Sequence, residues 1–276
     1  MIYKMRVSRP LRLITSTALL VLCSLWTMAV PSLQGDEEDR TRRIWNNRFQ
    51  DGRGRTRTKR PGRIIPGGEL IGVTIWRIRD SQRNPIAERA TADTIFSEGE
   101  QVQLSIEVPH ESDRYLYVID REVYADGTTS DPYLIFPSQT TPPMANVVTA
   151  GKPIYIPAKG DEFPYFTLKR IRRDLMREKL TIIVSPKPLK LPLKLPLDAY
   201  KLDRELVTQW EKQWGGRVER REERGGAGRL QTEAEKMAGE GERRLVQGDS
   251  LPQTMFLVKA KPGAPMMLHV PLQIAH

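Results

Sequence analysis

The 276-residue sequence predicts an all-β fold, a β-sandwich of about 8–10 short strands with one α-helix, at about residues 199–214, inserted in it. Two observations carry that class. Short runs rich in Val, Ile, Leu, Tyr and Phe follow one another from Leu70 to Ser185 and again from Met255 to Ile274, with Gly and Pro at their margins. After Asp198, one segment instead repeats its apolar residues every four positions, as a helix requires. A signal helix and a disordered basic tether are expected ahead of the sandwich, dividing the chain into 1–30, 31–63 and a single domain over 64–276.

At the N-terminus, Lys4, Arg6, Arg9 and Arg12 precede an apolar stretch from Leu13 to Val30, and no acidic residue occurs before Asp36. This is the architecture of an export signal, so the chain is expected in the periplasm or outside the cell. Thr27, Met28 and Ala29 offer one cleavage point, and Val30, Pro31 and Ser32 another. The alternative is an uncleaved inner-membrane anchor at 13–30, because the run approaches the ~18 to 20 residues that cross a bilayer. Cys23, the single cysteine, lies in this stretch behind Leu22, where a lipoprotein signal needs a small residue. A cleaved signal takes it away, and the mature chain then relies on packing, with no disulfide and no thiolate metal site.

The net charge of +10 is concentrated in the next segment. Residues 40 to 63 hold ten basic side chains against Asp51 alone, whereas residues 64–276 carry 30 basic and 29 acidic ones. Rich in Arg and Gly and poor in aliphatic residues, this segment buries too little to fold alone and reads as a solvated tether. Arg-rich segments attract polyanions, so a weak contact with anionic surfaces is expected through 40–63, with Trp45 and Phe49 suited to a membrane interface or to stacking on bases. Export favours envelope lipid or polysaccharide, and no specific nucleic acid is expected.

The strands follow in order. LIGVTIWRI at 70–78 is apolar on both faces and should be covered on both. Val102, Leu104, Ile106 and Val108 alternate with Gln103, Ser105 and Glu107, the period of a half-buried strand. YLYVID at 115–120 reads as a central strand; Asp126 and Gly127 mark a tight turn, and YLIF at 133–136 returns before Pro137. Further short strands are expected at 153–157, 163–168 and 180–185. PKPLKLPLKLP at 186–196 should be an extended strap. Asp198 is placed to cap the helix whose stripe of Leu202, Leu206, Trp210 and Trp214, with Val207, should pack on the sandwich, and Gly215 and Gly216 end it. Residues 217–249 are polar and Gly-rich and read as loop or marginal helix, and MFLVKA with MMLHVPLQI closes the chain as a hairpin around a Lys-Pro-Gly turn.

In their order and spacing, FSEGEQVQLSIEV, YLYVIDREVYADG, YLIFPS and NVVTAGKPIYIP resemble the bacterial domain of unknown function 4384 family, over roughly residues 96–184. The DG turn and the IFP corner carry the likeness. It covers about a third of the chain and leaves the strand at 70–78, the insertion at 186–250 and the closing hairpin unexplained. The family has no settled activity, and its modules often accompany signalling or protease domains. The resemblance therefore implies a sensing or scaffolding part whose partner is a separate molecule.

Chemistry is sparsely indicated. His110, His269 and His276 are too few and too scattered for a triad or a metal site. No serine lies in a GxSxG elbow, no Walker or dinucleotide loop occurs, and GGAG at 225–228 has no strand before it and reads as a linker. Asp120, Glu122, Asp126 and Asp131 cluster near one hairpin and are the candidates for calcium or for an acid and base pair, although turn chemistry accounts for Asp126 and the spacing is not that of an EF loop. No catalytic, cofactor-binding or metal residue is assigned, and no cofactor is implied. The expected function is a non-catalytic binding or sensing module of the bacterial cell envelope, taking an envelope protein or polymer at a face or by strand addition at an edge. The alternative is an enzyme acting on envelope polysaccharide through the carboxylates near 120–131.

Overall fold

The doubly apolar run at 70–78 forms the centre of a sheet, as its composition requires: β1 (Glu69–Arg79) is buried along nearly its whole length. The structure is a computed structural model, and it describes Trp45 and residues 68–80, 84–109, 114–158, 161, 164–191, 199–261 and 263–275. The expected signal helix and all of the tether except Trp45 lie outside the described residues.

Two sheets face one another. In the first, β1 pairs on one side with β4 (Gln101–Glu107) and shares its other side between β2 (Ile86–Ala90) and β14 (Thr254–Lys259). β13 (Arg217–Glu222) forms one edge beyond β14, while β9 (Ile154–Ile156) and β10 (Phe166–Thr167) pair with β4. The second sheet runs β12 (Tyr200–Lys201), β7 (Tyr133–Phe136), β5 (Arg114–Asp120), β11 (Leu175–Ser185), β15 (Met266–Ile274) and β3 (Ile95–Phe96). β6 (Glu122–Tyr124) continues β5 along β11, and β8 (Val147–Val148) pairs with β5. YLYVID is thus a central strand. Between the sheets lies one apolar core, with Val73, Ile75, Leu104 and Ile106 from the first and Leu116, Val118, Ile182 and Leu268 from the second.

The all-β sandwich expected from the sequence is the fold seen, with three departures. The described residues form fifteen strands rather than about 8–10, because several pairings are only two or three residues long and too short to show a period. The two closing strands do not form a hairpin. β14 pairs in the first sheet and β15 in the second, so the Lys261 turn arches across the core and both strands send apolar residues into it. The insertion, finally, is more structured than its polarity suggests: it contains β13 and a second helix.

The first helix, α1 (Arg204–Trp214), begins later than expected. Asp198 lies outside the described residues, and the cap is Asp203, whose Oδ1 accepts from Leu206 N at 2.8 Å. Its stripe packs as expected: Val207 and Trp210 are buried with Leu202 against Tyr117, Ile119, Leu134, Ile183 and Met267 on the outer face of the second sheet. Trp214 stacks on Trp210, with ring centroids 5.1 Å apart. The described part of the Leu-Pro-Lys strap, residues 186–191, lies on the same cluster through Leu189 and Leu191, with Leu189 N donating to the Tyr117 hydroxyl at 2.9 Å. Among the described residues no helix is long and apolar enough to cross a membrane.

Candidate functional site

Alternation sends Leu70, Gly72, Thr74, Trp76 and Ile78 of β1 away from the core, onto the outer face of the first sheet. The polar segment 223–253 covers that face. Its backbone is tied to β2, since Arg89 N donates to Arg229 O and Gly228 N to Arg89 O, both at 2.9 Å, and Gln231 N donates to Ala87 O at 2.8 Å. The second helix, α2 (Glu233–Gly239), opens with a capping box in which Thr232 and Glu235 each accept from the other's backbone N–H. Glu235 also pairs with Arg89, both side chains more than nine-tenths buried, and Arg89 Nη1 donates to Leu251 O at 2.6 Å. The same guanidinium lies over the Trp76 ring, whose Nε1 donates to Ser105 Oγ at 2.9 Å. Trp45 completes the cover. It is fully buried with Leu70 and Met255, so the structure corrects its assignment to a lipid interface or to stacked bases and places its ring in the domain's packing.

Between α2 and the first sheet a cleft of about 180 Å³ remains open. Tyr155, Tyr165, Gln103, Gln231, Lys236 and Glu240 line it, with Ile78, Pro85, Ala87 and Pro164 supplying apolar surface. The lining is held in place. The Tyr155 hydroxyl donates to Glu235 O at 3.2 Å and accepts from Gln231 Nε2 at 2.8 Å, while Gln103 Nε2 donates to Pro157 O and Pro164 O at 2.9 and 3.2 Å. Burial, reinforced by the Glu235 charge, pushes the Tyr155 phenol well above its usual range, so it remains a neutral hydrogen-bonding group. Gly239 lies so close to the Tyr155 ring that a Cβ there would sit 2.4 Å from it, which is how α2 comes down flat on the tyrosine. The volume is below the ~300–1,000 Å³ of small-molecule sites, and suits one protruding group of a larger partner. Among the described residues that line the cleft, Glu240 is the one carboxylate.

The four carboxylates singled out from sequence do not converge. Asp120 and Glu122 do share the inward face at one end of the second sheet, and there they meet Glu178 of β11, which lies directly across from Glu122. Asp120 and Glu178 are in hydrogen-bond contact; burial, then the neighbouring carboxylates, pushes Glu178 up to about 9. Burial likewise raises Asp120 to about 6, even though the Glu178 hydrogen bond opposes the rise. Glu178 therefore carries the shared proton. Glu122 accepts from the Tyr124 hydroxyl and raises that phenol to about 12. Asp126 stands apart in its turn, where Oδ1 accepts from Thr128 N at 2.8 Å and Thr128 Oγ1 at 2.6 Å. Asp131 is engaged outside, with Lys201 at 2.5 Å and Arg204 at 2.9 Å. None of these carboxylates lines the cleft.

The remaining candidates are also placed. His269 is exposed beside α1, its Nδ1 3.0 Å from Thr181 Oγ1; partial desolvation of the ring, then Lys179 and Arg121, holds its pKa below the usual imidazole range. Arg121 and Lys179 both face Glu211 of α1, at 3.6 and 3.0 Å, and these contacts tie the helix to the sheet. His110 and His276 lie outside the described residues. GGAG at 225–228 is a turn in which two amides are committed to protein carbonyls, Gly226 N to Glu223 O at 3.3 Å and Gly228 N to Arg89 O at 2.9 Å. Among the described residues, no group of three or more His, Cys, Asp or Glu is placed to hold a metal ion.

Sequence reasoning missed the cleft, because the segment that walls it is polar. One signal was readable: Thr232-x-x-Glu235 is a capping box in an otherwise featureless stretch. The Arg89–Glu235 pair joins residues 146 apart and leaves no local trace. No protein-family model matches the chain, and no curated protein matches it.

Proposed function

We propose that this chain is an exported bacterial cell-envelope protein whose sandwich is a non-catalytic binding module, similar over residues 96–184 to the domain of unknown function 4384 family. The observation that carries the reading is the cleft beside α2, small, aromatic and amide-lined, with its polar groups fixed by internal hydrogen bonds. Such a lining accepts a protruding side chain or sugar ring of an envelope protein or polymer. Strand addition at an edge is less suited. β13, an edge of the first sheet, has charges at five of its six positions, and the edge strands β3, β10 and β12 are two residues long.

A second reading rests on Glu178 and Asp120, whose raised and divided pKa values are those of an acid and base pair, and makes the chain an enzyme acting on envelope polysaccharide. One experiment separates the two. The chain from Asp36 is incubated with purified envelope polysaccharide and with solubilised envelope proteins, and both retention and release of reducing ends are measured. The binding reading expects retention without release, lost in Tyr165→Ala and Lys236→Glu and kept in Glu178→Gln. Release of reducing ends that disappears in Glu178→Gln establishes the enzyme in its place.

A further inference from the structure

We propose that Trp45 is a latch that holds the 223–253 cover, and with it the cleft, closed against the first sheet. The inference does not depend on what the cleft binds. Trp45 is fully buried although 22 residues separate it from Gly68, the next described residue. Its slot is prepared by a missing side chain: a Cβ on Gly72 would lie 2.8 Å from Trp45 Cη2 and 2.3 Å from Pro252 Cγ, so glycine lets the indole and Pro252 settle together on β1. Pro252 is where the cover rejoins the sheet. On one side of it Leu251 O accepts from Arg89 Nη1, and on the other Gln253 N donates to Thr74 Oγ1 at 3.0 Å. From Arg89 the contact continues through the buried pair to Glu235 of α2, whose carbonyl accepts from the Tyr155 hydroxyl in the cleft.

The cover buries little apolar surface of its own. Among the described residues, Ala238 and Leu245 are its buried apolar residues between 230 and 250, while Leu230 and Val246 are exposed, and Glu235 holds it to Arg89 through the buried ion pair. A segment with so little buried apolar area opens below the free energy of global unfolding, and a tryptophan, which buries roughly 150–250 Å², is a large share of what keeps it down.

Hydrogen exchange measured by mass spectrometry on the chain from Asp36 tests this. In Trp45→Ala, the amides of Gly228, Gln231 and Leu245, which donate to Arg89 O, Ala87 O and Gly151 O, should exchange at least about tenfold faster while β11 in the second sheet is unchanged. Gly72→Ala, which crowds the slot from below, should do the same. Trp45→Phe should give a smaller acceleration confined to the same segment, and decides the matter if Trp45→Ala does not fold. Exchange of the cover at the native rate, or equal acceleration of the cover and both sheets, overturns the latch and leaves Trp45 an ordinary packing residue.

Discussion

Two buried groups of charge set how single residues respond. At the end of the second sheet, Glu178 is raised to about 9 and Asp120 to about 6, so the folded state holds protons that the unfolded chain releases near pH 4. The sign follows: stability from this pair is complete below about pH 4 and is lost as pH rises through 6 toward 9. Denaturant titrations at pH 5 and pH 8 should show the domain more stable at the lower value. Glu178→Gln should flatten that slope and stabilise the domain at pH 8 by on the order of 1 kcal/mol, because the amide N–H₂ replaces the shared proton permanently. Across the molecule the Arg89–Glu235 pair predicts the opposite response to neutralisation. Both side chains are buried, so Glu235→Gln or Arg89→Ala strands one charge away from water and should cost roughly 3–5 kcal/mol, read as a lower denaturation midpoint.

At the scale of elements, the sandwich is wrapped on both outer faces, by α1 on the second sheet and by the 223–253 cover on the first. The two wraps differ in how much of them the sequence disclosed. The stripe Leu202, Leu206, Trp210, Trp214 has the period of a helix, and it packs where an apolar stripe must, on Ile119, Ile183 and Met267. The cover binds through a capping box, backbone hydrogen bonds and the Arg89–Glu235 pair to distant residues, none of which has a period, so it reads from sequence as loop or marginal helix. For the same reason β13 went unrecognised: five charges in six residues mask a strand that pairs fully with β14. The apolar strands were legible because alternation is local, while the arch that puts β14 and β15 in different sheets depends on which partner each strand meets. Trp210→Ala should cost about 3–5 kcal/mol, since the ring is nearly buried, and Asp203→Ala about 1 kcal/mol through loss of the cap. Thermal unfolding of the two variants measures both.

For the molecule as a whole, the basic surplus of the chain and the buried Trp45 fall in the same N-terminal segment. Residues 64–276 are almost neutral, with 30 basic and 29 acidic side chains, so attraction to an anionic surface is expected from the ten basic residues at 40–63. Trp45 cannot contribute to it while it is buried on the first sheet. Exposed charges act within a Debye length, about 8 Å at physiological ionic strength, and each adds at most about 1 kcal/mol, so the contact should be weak and strongly dependent on salt. The comparison that isolates it keeps Trp45 in place: the chain from Asp36 against the same chain with Arg53, Arg55, Arg57 and Arg60 changed to Gln. Sedimented with anionic vesicles at low salt, the unaltered chain should bind and the substituted one should bind less. Both should be released by high salt, and neither should bind neutral vesicles. Equal binding by the two chains would place the attraction on the sandwich instead, and binding that persists in high salt would mean that an apolar group enters the lipid, either Phe49 or Trp45, the latter only if the indole leaves its slot.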